Sequence, residues 1–165
     1  MNTFLRLAQL APALLIFGSF GCADLVAGKH EQEARFTVGP AGDKSYAGWS
    51  EITISEDVNQ AGRSTVFAAT MELEDPTSAT DMTFIQDILG EAVVGDERTL
   101  MVTKSPVPAN TMPVPFDIVH KEDIRPFFRD GHTIRIEWEG QTNPNYTAWP
   151  QDGIGVKVKI GVEIE

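Results

Sequence analysis

Two stretches near the C-terminus alternate apolar and polar residues with a period of two. In residues 133–139, Ile134, Ile136 and Trp138 alternate with Arg135, Glu137 and Glu139. In residues 156–165, Val156, Val158, Ile160, Val162 and Ile164 alternate with Lys157, Lys159, Gly161, Glu163 and Glu165. A period of two puts one set of side chains on each face of a strand. One apolar and one polar face is the pattern of an antiparallel sheet lying over a core. If the two strands pair, Glu139 opposite Lys157 and Glu137 opposite Lys159 is the favourable register, because like charges placed opposite each other destabilise a sheet.

The rest of the chain from Ala34 reads as strands broken by turn residues. Arg35 to Val38 stops at Gly39-Pro40, Trp49 to Ser55 alternates through Ile52 and Ile54, and Ser64 to Leu73 is a longer β-rich run. With the Asn59 to Gly62 turn between them, the second and third runs predict a hairpin. Residues 81–95 fit either period. A helical stripe runs through Ile85, Ile88, Leu89, Ala92 and Val93, but the β surroundings favour a helical turn near Asp81 to Gln86 leading into a strand that ends at Gly95. Short strands follow at Thr99 to Thr103 and Phe116 to His120. Four prolines between Pro106 and Pro115 cannot donate to a ladder, which makes that segment an extended loop or a protected edge. Lys121 to Asp130 is a polar crossover with at most one helical turn, with Phe127 and Phe128 packed beneath it. About seven short strands at this spacing predict an all-β fold, an antiparallel β-sandwich of the general immunoglobulin or transthyretin type with one or two short helical turns.

The N-terminus has a different composition. Arg6 is its only charge, and Leu7 to Phe20 is an apolar run of 14 residues, shorter than the roughly 20 needed to span a bilayer. This matches a secretory signal. The run ends in Ser19-Phe20-Gly21-Cys22, and Cys22 is the chain's sole cysteine. The segment Leu14 to Cys22 resembles the lipobox of bacterial lipoproteins, with small Gly21 in its expected place and Ser19 where leucine is usual. The resemblance implies a cleaved signal at 1–21, a diacylglycerol thioether on Cys22, and a location in the bacterial envelope. Ala23 in place of aspartate after the cysteine implies the outer membrane. The alternative is an ordinary cleaved signal that leaves a secreted protein with a free thiol. Residues 22–33 then read as a lipidated tether and 34–165 as the sandwich domain, which weakly resembles uncharacterised β-sandwich domains of bacterial lipoproteins.

The formal net charge is −11, one unit more negative once Arg6 is removed. Nucleic acid and anionic headgroups both select for Lys and Arg, so neither is an expected partner. The expected contacts are the membrane, through the anchor, and an unknown envelope protein or glycan.

No catalytic set emerges from the sequence. Glu137 and Glu139 share a strand face at a spacing open to glycosidase chemistry, but a solvated face matched by Lys157 and Lys159 is the plainer reading. His120 with Glu122 and Asp123 is a thin metal candidate. Ser50, in Gly48-Trp49-Ser50-Glu51-Ile52, lacks the second glycine of a nucleophile elbow. No cofactor beyond the covalent lipid is implied. A weak calcium candidate comprises Glu72, Glu74, Asp75 and Asp81, against a solvated acidic rim. The most suggestive surface is the loop Gly140 to Gly153, where Tyr146, Trp149, Asn143 and Asn145 are candidates for ligand or partner contact. Its alternative is that Tyr146 and Trp149 fold back to plug the open end of the sandwich. The expected role is a non-enzymatic binding or structural module, with an accessory subunit of an envelope assembly or secretion machine, and then an envelope hydrolase, as alternatives.

Overall fold

A computed structural model describes residues 27–39, 45–54 and 57–165. The expected signal, Cys22 and the first part of the expected tether lie outside the described residues. Among the described residues ten strands form two antiparallel sheets packed face to face: β1 (Gly28–Val38), β2 (Ser45–Thr53), β3 (Ser64–Leu73), β4 (Ile85–Val94), β5 (Glu97–Lys104), β6 (Val114–Pro115), β7 (Asp117–Ile118), β8 (Phe128–Arg129), β9 (Thr133–Thr142) and β10 (Ile154–Ile164). Sheet A has the order β1-β10-β3-β6, and sheet B the order β2-β9-β4-β5-β7 with β8 also on β9. The all-β sandwich expected from the alternation is what forms. Its helical content among the described residues is two 3-10 turns, Val58–Gln60 and Arg125–Phe127, the second falling in the expected crossover.

The inward-facing sets are those the period of two selects. Ile134, Ile136 and Trp138 from β9 and Val156, Val158, Ile160, Val162 and Ile164 from β10 are all buried. Burying each such side chain contributes about 1.5–3 kcal/mol, which holds the two faces together. The two strands do not pair with each other, however. β9 lies between β2 and β4 in sheet B and β10 between β1 and β3 in sheet A, so the expected Glu–Lys register does not occur. Each sheet balances its charges internally: Lys157 and Lys159 meet Glu72 of β3 at 2.7 and 3.3 Å. Glu137 and Glu139 meet Arg98 of β5 at 2.5 and 3.3 Å.

The expected hairpin between the second and third runs is also overturned. β2 belongs to sheet B and β3 to sheet A, and the segment between them crosses the end of the sandwich. Its backbone groups are taken by distant strands: Ile54 N–H donates to His132 O at 2.9 Å, Val58 N–H to Gly131 O at 2.9 Å and Gly62 N–H to Glu165 O at 2.7 Å. Both runs carry an apolar face, and facing each other across the core buries both.

Residues 28–33, read from the sequence as part of the tether, are the first half of β1. Gly28 pairs with Ile164 and Glu33 with Lys159 in an unbroken register. Residues 81–84 form a turn closed by Ile85 N–H to Met82 O at 3.1 Å, and the strand starts at Ile85. β4 and β5 are joined by a two-residue turn, Gly95-Asp96, with Gly95 at φ +60°, a left-handed conformation that favours glycine. In the proline segment, Val114–Pro115 pair with β3 at the edge of sheet A. The strand expected at Phe116 to His120 shrinks to β7. No helix among the described residues is long and apolar enough to cross a membrane.

Two ends follow from this topology. The start of β1, the start of β3 and the end of β10 meet at one end, where Gly28 and Ser64 both flank Ile164. The end of β1, the start of β4 and the end of β9 lie at the other, where Ile85 pairs with Thr142. The second end carries three long connections: residues 74–84, 105–113 and 143–153.

Candidate functional site

Asp81 organises this far end. Its carboxylate is buried and accepts from Thr83 N–H at 2.9 Å, Thr83 Oγ1 at 2.5 Å and Asn110 N–H at 3.1 Å. One side chain thereby ties the turn before β4 to the proline segment. Burial pushes its pKa up, but the three donors outweigh burial and hold it below the usual carboxylate value. Val107 N–H donates to Gln86 O at 3.2 Å, fixing the same segment beside β4.

Asn143 does the corresponding work for the third connection. Its N–H donates to Phe84 O at 2.8 Å, its Nδ2 to Thr83 O at 2.8 Å, and its Oδ1 accepts from Asn145 N–H at 3.0 Å. Phe84 is fully buried, with the rings of Tyr146 and Trp149 each centred 5.8 Å from it. Those two rings meet edge to face at 5.3 Å, and the indole N–H of Trp149 donates to Tyr146 O at 3.1 Å. Burial raises the Tyr146 phenol above its ordinary pKa, with Asp81 adding to the effect.

Between these pieces lies a cleft of about 310 Å³, within the range of small-ligand sites. Ile85, Pro106, Val107 and Pro144 give it apolar walls, and Thr83, Gln86, Asn143 and Asn145 give it polar groups. Among the described residues no ionisable side chain lines it, in a chain of net charge −11. Thr83 and Asn143 are committed to the internal bonds above. The carboxamides of Gln86 and Asn145 remain for a ligand, each offering both a donor and an acceptor.

Of the four loop residues singled out in the sequence, Asn143 and Asn145 line the cleft. Tyr146 and Trp149 do not, and instead pack on Phe84 as the plug that was the alternative. The four carboxylates of the calcium candidate serve separate partners. Glu72 takes Lys157 and Lys159, Glu74 takes Arg35 at 3.3 Å, Asp75 accepts from Thr77 N–H and Oγ1 at 2.8 Å each, and Asp81 holds its two loops. The trio around His120 does not assemble either. Asp123 accepts from Ser64 N–H at 3.1 Å and from Arg125, and His120 packs edge-on against Phe127. No group of three or more His, Cys, Asp or Glu able to hold a metal occurs among the described residues.

Two residues were missed. Gln86 carried no signal, being a polar residue that interrupts an apolar run. Trp49 did carry one, since it shares the parity of outward-facing Glu51 and Thr53. It is 56% exposed on the outer face of sheet B. Comparison of the chain with protein-family models, curated proteins and solved structures gives no match in any of the three.

Proposed function

We propose that this chain is a lipid-anchored protein of the bacterial envelope, held by a diacylglycerol on Cys22, whose β-sandwich is a non-enzymatic binding module. The observation that carries this reading is the placement of the uncharged cleft at the opposite end of the sandwich from Gly28. Only Ala23 to Ala27 separate Cys22 from β1, a length of at most about 20 Å when fully extended. The domain therefore rides against the bilayer, and the eleven residues of β1 carry the cleft about 35 Å further out. A ligand site raised away from the anchoring surface suits a partner reached from the aqueous side. Binding is preferred to hydrolysis because Glu137 and Glu139, the carboxylates weighed for glycosidase chemistry, are both engaged by Arg98 on an open sheet face.

The test is fractionation of a bacterial host expressing the wild-type chain or Cys22→Ser. The wild type is expected in the membrane fraction after a high-salt wash, with a mass increase of a diacylglycerol on the mature N-terminus, and the variant in the soluble fraction. Equal membrane attachment of both forms would refute the anchor. An accessory role in an envelope assembly has one specific observation behind it. Among the described residues, eleven-residue β1 pairs only with β10 and nine-residue β2 only with β9, and long edges of this kind accept an added strand.

A further inference from the structure

We infer that the outer face of sheet B, centred on Trp49, is a platform for a neutral carbohydrate chain, with the indole stacking on a sugar ring. This site is separate from the far-end cleft and requires neither that cleft nor the lipid anchor. Trp49 is the largest exposed apolar side chain among the described residues. It stands on β2 opposite Glu137 of β9, and the Arg135 guanidinium carbon lies 4.9 Å from the centre of its ring. The Nε of Arg135 is buried and has no hydrogen-bond acceptor, as expected of an N–H covered by an aromatic face. The guanidinium thus lies over the indole ring, and more than half of the residue stays open to solvent.

The surroundings select the occupant. Arg135 donates to Glu137 at 2.8 Å, Glu137 meets Arg98 at 2.5 Å, and Arg98 also reaches Glu139 at 3.3 Å and Glu91 at 3.5 Å. Glu51, beside Trp49 on β2, pairs with Arg129. Three arginines and four glutamates thus nearly balance in a row that crosses β2, β9, β4 and β5, about 14 Å at the usual strand spacing. A protein hot spot needs further apolar side chains to exclude water around its anchor, and here charged groups ring the tryptophan. An acyl chain needs the same apolar continuity. A polyanion meets four carboxylates. A sugar chain presents apolar C–H faces to the ring and hydroxyl groups to the carboxylate and guanidinium edges, which is the chemistry this row offers.

The experiment is a fluorescence titration of the full-length protein, purified in detergent, with the hexamer of N-acetylglucosamine and separately with cellohexaose. One of the two is expected to saturate the wild type and shift emission to the blue as Trp49 loses water. Trp49→Ala is expected to weaken that binding by at least about tenfold while leaving the unfolding midpoint unchanged, and Trp49→Phe to retain part of it. The double variant Gln86→Ala with Asn145→Ala is expected to bind as the wild type does. Absence of saturation with both glycans, or equal affinity for Trp49→Ala, would overturn the platform. Loss of glycan binding in the double variant alone would also overturn it and would move the sugar to the far-end cleft, leaving the binding-module reading intact.

Discussion

Trp138 and Ser50 meet inside the core, the indole Nε1–H donating to the hydroxyl oxygen at 2.8 Å. Trp138 is fully buried, stacked on Phe36 at 5.4 Å and tilted against Phe116 at 5.8 Å. Ser50 is the polar position on the inward face of β2, and its burial is accounted for by this one bond. Ser50→Ala leaves a buried N–H without an acceptor, for an expected loss of about 1–3 kcal/mol. Urea denaturation should show a lower midpoint with an unchanged slope.

The other side of the same indole rests on Gly90 of β4, where an added Cβ would lie 2.6 Å from the ring. The glycine that interrupts the apolar run in the sequence is thus the floor of the tryptophan site. Gly90→Ala forces the ring or the strand aside, at an expected cost of about 1–3 kcal/mol. Because both changes act on one side chain, the double variant should depart from additivity. Strict additivity in the same urea assay would argue against a shared tryptophan site.

Local alternation made the strands from 133 onward legible, because each buries every second residue in a continuous apolar core. The same rule contained the exposure of Trp49, whose parity with Glu51 outweighs its type. Residues 28–33 were illegible for the converse reason: the inward positions of that stretch include His30 and Gln32, and only pairing with the apolar β10 makes it a strand. The choice between a hairpin and a crossing between sheets at residues 54–63 depended on acceptors at Gly131, His132 and Glu165, far away in the chain. In the cleft, Asn143 and Asn145 stood out as loop amides beside aromatics. Gln86 joins them only through the fold of the proline segment.

Asp81 tests whether the far end is held by one carboxylate. Asp81→Ala removes three acceptor contacts from Thr83 and Asn110. Hydrogen bonds to charged groups contribute about 1.5–3 kcal/mol, so a loss of that order is expected. The local reading is amide hydrogen exchange: Asn110 and Thr83 should lose protection well before the amides of β9. Uniform loss across the sandwich would show instead that Asp81 acts on global stability alone.

Acid should weaken the protein through the same group and through Asp123. The Arg125 guanidinium lowers the pKa of Asp123, and backbone donors from Arg125 and Ser64 add to this against partial burial. A carboxyl whose folded pKa lies below its unfolded value binds fewer protons in the native state. Its contribution is fully present above the unfolded value of about 3.9 and disappears as pH falls through the lower folded value. Urea midpoints should therefore hold their level with respect to these two groups at neutral pH and drop below about pH 4. Asp81→Asn and Asp123→Asn should each be less stable at pH 7 and show a shallower drop in acid. A parallel curve would exclude the residue concerned as a source of the acid sensitivity.

Phe84 decides whether the cleft is a preformed site. It has no exposed surface, its carbonyl holds Asn143 N–H, and its ring carries both Tyr146 and Trp149. Asn145, which supplies one of the two free carboxamides, lies between the residues anchored in this way. Phe84→Ala should cost about 3–5 kcal/mol, as expected for a buried aromatic ring truncated to a methyl group. It should also expose Tyr146 and Trp149 and release residues 143–153, seen as faster exchange at Tyr146 N–H, whose acceptor is Asn143 O at 3.1 Å. Trp149→Ala should cost less, since that ring is only half-buried, but should release the same loop. If exchange at Tyr146 stays slow in both variants, the loop is held by Asn143 and its backbone alone, and the aromatic cluster is a cover over the core with no part in shaping the cleft.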